Sequence, residues 1–294
     1  MRLSTLLLAA GGAITLAAPA LAHRQWLLPS TTTLADTNQY VTVDAAVSND
    51  LFYPDHVAMR PEQIKVWTPD GAPAAIENAA TGRHRTTFDV KVDKPGTWKI
   101  GTEMANVMGS FTLNGETWRV GGRRGPMGGP GAAGTPAGAP GAARPAPKFV
   151  ATAAEIPAGA DDVKLTEVLS RNVVFVTAGA PSEGVFKPTG KGLEMQPVTH
   201  PSALVADEEG QFRFLVDGKP AAGIKVTVVP GSKKFRTAED AQELTTGADG
   251  LLRVKWPVAG MYWLSASASD AKASVPRATE RRMSYTTTLE VPAP

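Results

Sequence analysis

The chain has 294 residues, 43% of them hydrophobic and 20% charged, which supplies apolar material for about two globular cores and excludes a disordered polyelectrolyte. Its 30 Lys and Arg nearly balance 28 Asp and Glu, a formal net charge of +2, so no basic field argues for nucleic acid. Cysteine is absent, which removes disulfides, thiolate metal sites and cysteine nucleophiles and leaves nitrogen, oxygen and thioether groups for any chemistry.

Residues 1–22 read as a secretory signal: Arg2 gives the positive start, Leu6 to Ala18 an apolar run, and Ala20-Leu21-Ala22 a small-residue cleavage site. The run is too short for the ~20 apolar residues of a membrane span. The expected product is a periplasmic protein with no membrane span, beginning at His23.

From His23 to about Trp118, short alternating runs separated by turn residues predict strands, as in Tyr40 to Ala45, Ile64 to Trp67, Thr86 to Val92, Thr97 to Gly101 and Gly109 to Leu113. Pro95-Gly96 and Asn114-Gly115 mark turns, the latter a hairpin signal. Residues 121–148 hold 9 Gly, 7 Ala and 6 Pro, too little to bury against the entropy of ordering, and predict a flexible insertion. Strand patterns return from Val163 to Thr177 and then over Gln211 to Val216, Ile224 to Val229, Leu251 to Trp256, Met261 to Ala266 and Ser284 to Val291, with turns at Asp217-Gly218 and Asp249-Gly250. Thr237 to Leu244 alone reads as a short turn of helix.

Two motifs recur in the same order. Asp70-Gly71-Ala72-Pro73-Ala74-Ala75 echoes Asp217-Gly218-Lys219-Pro220-Ala221-Ala222, and Pro95-Gly96-Thr97-Trp98-Lys99-Ile100 echoes Ala259-Gly260-Met261-Tyr262-Trp263-Leu264. The expected fold is all-β: two tandem β-sandwich domains, 23–188 with the insertion and 189–294, divided near Lys187 to Gly192.

Cleavage before His23 exposes an α-amine beside its own imidazole, a bidentate chelate that favours copper, nickel and zinc over calcium or magnesium. Three further histidines exist. His56 closes the passage Asn49-Asp50-Leu51-Phe52-Tyr53-Pro54-Asp55-His56, where Asp55 or Asp50 can ligate or orient an imidazole. His200 opens the second domain. His84 lies between Arg83 and Arg85, whose charges disfavour a bound cation, and is set aside. Met104 and Met108 share a strand face and are expected to pack, most of the six tryptophans to fill cores, and Arg281-Arg282 to be a solvated strand edge. Hydrolase motifs and a phosphate loop are missing.

The signal ending Ala22-His23-Arg24-Gln25-Trp26-Leu27-Leu28-Pro29, the passage Phe52-Tyr53-Pro54-Asp55-His56 and the block Phe212 to Gly223 resemble the bacterial domain-of-unknown-function family 4198, as do Thr246 to Gly250 and Gly260-Met261-Tyr262-Trp263. The resemblance spans essentially the whole mature chain. The turn motifs are shared with many prealbumin-like and collagen-adhesin-like sandwiches, the fold implied is immunoglobulin-like or prealbumin-like, and the long insertion departs from the family pattern. The family resemblance implies a periplasmic component of nickel or cobalt uptake with a histidine at the mature N-terminus, and carries to His23 and His56 and less securely to His200.

The expected function is non-enzymatic: binding a divalent transition metal, nickel, cobalt or copper, through His23, His56 and His200 with Asp55 in support, and passing it to an envelope transporter. The alternatives are a metal-independent interaction module that docks on an outer-membrane receptor or transporter, and a copper oxidase built on the terminal histidine.

Overall fold

The computed structural model describes residues 23–121 and 148–294. The expected signal, and the Gly/Pro/Ala insertion apart from its end residues, lie outside them. The described residues form strands joined by loops and five single 3-10 turns, with no α-helix, and none of their elements is a helix long and apolar enough to cross a membrane.

Three sheets build the molecule. The first runs Arg24–Pro29, Gln39–Ser48, Thr86–Val92, Glu77–Thr81, all antiparallel, with Val57–Ala58 added to Gln39–Ser48. The large central sheet runs in order through Gly96–Leu113, Asp161–Ala178, Ala278–Val291, Gly260–Asp270 and Lys225–Pro230 to the edge strand Gln242–Thr245. The third joins Leu193–Pro197, Glu209–Val216, Lys219–Pro220 and Leu251–Lys255.

Strand Asp161–Ala178 shows why these layers stack. Successive side chains of a strand point to opposite faces, and this one is apolar on both over its second half. Val174, Val176 and Ala178 enter a core with Val41, Val43, Phe88 and Val90 of the first sheet, while Val173 and Phe175 enter one with Phe212, Phe214 and Leu252 of the third. A near-continuous apolar run is what a sheet covered on both faces requires. The all-β sandwich expectation holds, and the two cores use opposite faces of a shared central sheet.

Local expectations are met where turn chemistry decides. Asn114 and Gly115 take positive φ of 52° and 76° in the hairpin between Gly96–Leu113 and Glu116–Val120. Asp217 and Gly218 do the same, at 52° and 74°, between Glu209–Val216 and Lys219–Pro220. The recurring Asp-Gly motif turns a hairpin in both halves, since Lys65–Trp67 pairs with Pro73–Ala74.

Three expectations are corrected. Thr97 to Gly101 and Gly109 to Leu113 belong to one strand, Gly96–Leu113, because Asp161–Ala178 supplies an unbroken antiparallel partner from Ala178↔Gly96 to Lys164↔Ser110. Thr237 to Leu244 is not helical; Gln242–Thr245 is an edge strand on Lys225–Pro230, tertiary pairing overriding weak local preference. Arg281 is buried at 6% exposure between two carboxylates, whereas Arg282 is exposed.

Candidate functional site

His23 and His56 come together through strand register. Arg24 pairs with Ser48 and Val57 pairs with Val47, on opposite sides of Gln39–Ser48. The residue preceding each pairing, His23 or His56, therefore lies at the same end of that strand. Between them the chain makes a compact loop: the Asp55 carboxylate accepts from Asn49 N at 2.8 Å and Asn49 Nδ2 at 3.3 Å. The Ser48 hydroxyl accepts from Trp26 Nε1 at 2.6 Å and donates to the Asp50 carbonyl at 2.5 Å. Buried Trp26 thus anchors the strand that follows His23 to the loop that delivers His56.

The two imidazoles, 33 residues apart in sequence, stack face to face with centroids 3.7 Å apart and planes 3° from parallel. Both are exposed. His84, in the loop between Glu77–Thr81 and Thr86–Val92, sets its Nδ1 2.8 Å from the His56 carbonyl oxygen. Sequence reasoning set it aside for its arginine neighbours, yet Arg85 is paired with Asp44 at 3.0 Å. Beside His23, Arg24 is likewise neutralised, by a two-point contact with Glu239 at 2.5 and 3.1 Å, and lies 5.2 Å from the Trp263 ring centroid. The hydrogen bond from Arg24, ahead of its charge, holds the Glu239 carboxyl below its usual range.

His200 has other partners on both ring nitrogens. It caps the turn Pro201–Ala203, with Nδ1 accepting from Ser202 N at 3.1 Å and 2.7 Å from the Ser202 hydroxyl, and its Nε2 is 3.0 Å from the Thr97 hydroxyl. Phe186 meets it edge-on at 5.4 Å. Burial lowers its pKa, against the opposing pull of Glu183 and the Ser182 backbone. None of these partners is shared with the stacked pair. Met104 is half-buried and Met108 is 50% exposed, so neither fills a core.

Chemically, the stacked pair offers two imidazoles to a soft or borderline divalent ion. Metal–nitrogen bonds of about 2 Å hold two ligating nitrogens within about 4 Å of each other, and the two ring centroids stand 3.7 Å apart. Facing rings must turn to converge their nitrogens, and both are exposed enough to do so. Among the described residues, no group of three or more His, Cys, Asp and Glu side chains is arranged to hold a metal; the fit is to an open two-imidazole site, without His200, and with Asp55 engaged by Asn49.

No curated protein matches the chain. Among solved structures it is similar to the human OSCAR ligand-binding domain (11% identity, 92% of this chain and 100% of that one, TM-score 0.19). It is also similar to the D0-D1 domain of intimin (13%, 90% and 97%, TM-score 0.19) and to Escherichia coli alpha-2-macroglobulin activated by porcine elastase (11%, 92% and 31%, TM-score 0.21). Overlaps this loose transfer neither topology nor function. A family model described as Domain of unknown function (DUF4198) matches residues 20–270, and the chain belongs to that family.

Proposed function

We propose that this is an exported, non-enzymatic envelope protein that binds a divalent transition metal, nickel, cobalt or copper, at His23 and His56 and delivers it to an envelope uptake system. The single observation that supports this reading is the 3.7 Å stack of two imidazoles from distant parts of the chain. Two exposed rings are not held face to face by core packing. Processing after Ala22 adds the His23 α-amine, which with its own imidazole closes a chelate ring and raises the donor set to three nitrogens. His84 orients His56 through its carbonyl, and Asp55 fixes the loop that carries it. An open site of this kind suits a carrier, whose ion must leave again.

Isothermal titration of protein processed at His23 with nickel, cobalt and copper tests the reading. Because loss of an outer partner alone costs 10–100-fold in affinity, His23→Ala and His56→Ala are each expected to weaken binding by at least about 100-fold, and His200→Ala to leave it unchanged. Binding no tighter than millimolar, or indifference to both substitutions, overturns it.

A further inference from the structure

The first sheet covers only part of its face of the central sheet, and where it stops the floor is polar rather than apolar. Asn172, Thr286, Ser265, Thr227 and Glu243 stand opposite one another across five successive strands, and in-register partners share a face. With strands 4.7–4.9 Å apart, the row runs for about 19 Å. Ser170 and Ser284, paired two positions along, widen it. Strand Arg24–Pro29 overhangs one side, and together they enclose a cleft of about 570 Å³ with His23 and Gln25 at its rim, within the 300–1,000 Å³ range of small-molecule sites.

Polar groups without protein partners line the cleft. Asn172 is 4% exposed; its amide nitrogen lies 3.9 Å from Met59 Sδ, and its amide oxygen, closed to solvent, has no hydrogen-bond partner among the described residues. The hydroxyls of Ser170, Ser265, Ser284 and Thr286 likewise have no side-chain or backbone partner there; Thr227 donates to Glu243 at 3.0 Å.

The charge pattern selects the ligand class. Glu239 is matched by Arg24. Arg171, although it borders the cleft, directs its guanidinium to the opposite side, onto Glu103, Glu194 and the Leu193 carbonyl. Only Glu243 remains, already accepting from Thr227. An anion meets a carboxylate, and a cation finds one carboxylate among hydroxyls. Each protein hydroxyl both donates and accepts, and a sugar hydroxyl does the same. We propose that the cleft binds a neutral polyhydroxylated ligand, a short saccharide lying along the row from Asn172 to Glu243. Nothing in this binding requires a metal at His23.

Saturation-transfer NMR on the processed protein in chelator, with cellobiose, maltose and chitobiose as probes and citrate and triglycine as the anionic and peptide competitors, tests it. Transfer to at least one disaccharide is expected. Thr286→Val and Ser265→Ala, which leave the backbone pairing in place, should each weaken that binding about two- to tenfold, the scale of one lost hydrogen bond, with the thermal midpoint unchanged. His56→Ala, outside the cleft, should leave saccharide binding intact while abolishing metal binding, so either reading can fail alone. No transfer to any disaccharide, binding of citrate or triglycine only, or saccharide binding indifferent to both hydroxyl substitutions overturns the proposal.

Discussion

Arg281 shows how one buried side chain ties the molecule to pH. Its guanidinium donates to Asp217 at 2.9 and 2.8 Å and to Asp270 at 3.0 and 2.6 Å, and Asp217 also accepts from Gly192 N at 2.8 Å. Hydrogen bonding from Arg281 is the main reason both carboxyls titrate below their usual range. A depressed carboxyl contributes stability that is complete above its unfolded pKa of about 3.9 and is lost as pH falls through the folded value. Arg281→Met should therefore cost about 2 kcal/mol at pH 7, less than a fully buried pair because the carboxylates are partly in water. The gap to the parent should narrow below about pH 4. Urea unfolding at pH 7 and pH 3 measures both; an equal difference at the two values speaks against the assignment. His200 acts nearer neutrality. Its folded pKa is depressed by burial, so its contribution is complete above the unfolded value of about 6.5 and declines as pH falls through it. Thermal midpoints should drop between pH 7.5 and pH 5, and His200→Asn, which keeps a capping acceptor, should flatten that slope.

At the scale of elements, the long pair Gly96–Leu113 and Asp161–Ala178 is the spine. Their contact is so close at Gly101, where φ is 155°, that a Cβ would collide with the Asn172 carbonyl oxygen. Gly101→Ala is expected to destabilise by about 1–3 kcal/mol, as overpacking does, and to perturb the cleft floor at Asn172; a denaturation midpoint equal to that of the parent would show that the spine can shift. Much of this level was legible beforehand. Asn114-Gly115 and Asp217-Gly218 announced their hairpins because only a few residues accept positive φ. The continuity of Gly96–Leu113 was not legible, since its exposed middle, Ala105 and Asn106, lacks the apolar alternation that signals a strand. Arg281 was misread for a related reason: a charged pair in a strand looks solvated until Asp217 and Asp270, 64 and 11 residues away, are brought beside it.

For the molecule as a whole, two cores on opposite faces of one sheet cannot separate without baring Val173 and Phe175 or Val174 and Val176. A single cooperative transition follows. Phe88→Ala in the first core and Phe214→Ala in the second should each cost about 3–5 kcal/mol and lower the same calorimetric midpoint; two resolved transitions would instead mean that the cores melt independently. The first strand is bound into the second half as well, by Trp263 Nε1 donating to the Gln25 carbonyl at 2.9 Å, by Arg24 on Glu239, and by Trp26, Val229 and Trp263 in one small core. The histidine pair thus rests on a strand clamped from both sides.

The sequence by itself determined what local physics carries: all-β patterning with period-two alternation, turns set by residues tolerant of positive φ, a chain without cysteine whose chemistry is confined to nitrogen, oxygen and thioether ligands, and His23 and His56 as residues to watch. Tertiary structure alone decided how far-apart segments meet. Strand register stacked His23 on His56 and set His84 against it, and burial gave His200 to Thr97 and Ser202. A sheet covered incompletely on one face left a polar row beside the histidines. Such meetings arise from pairing over tens to hundreds of residues, whose loop-closure entropy is offset only when the cores assemble together, and no short-range pattern encodes them.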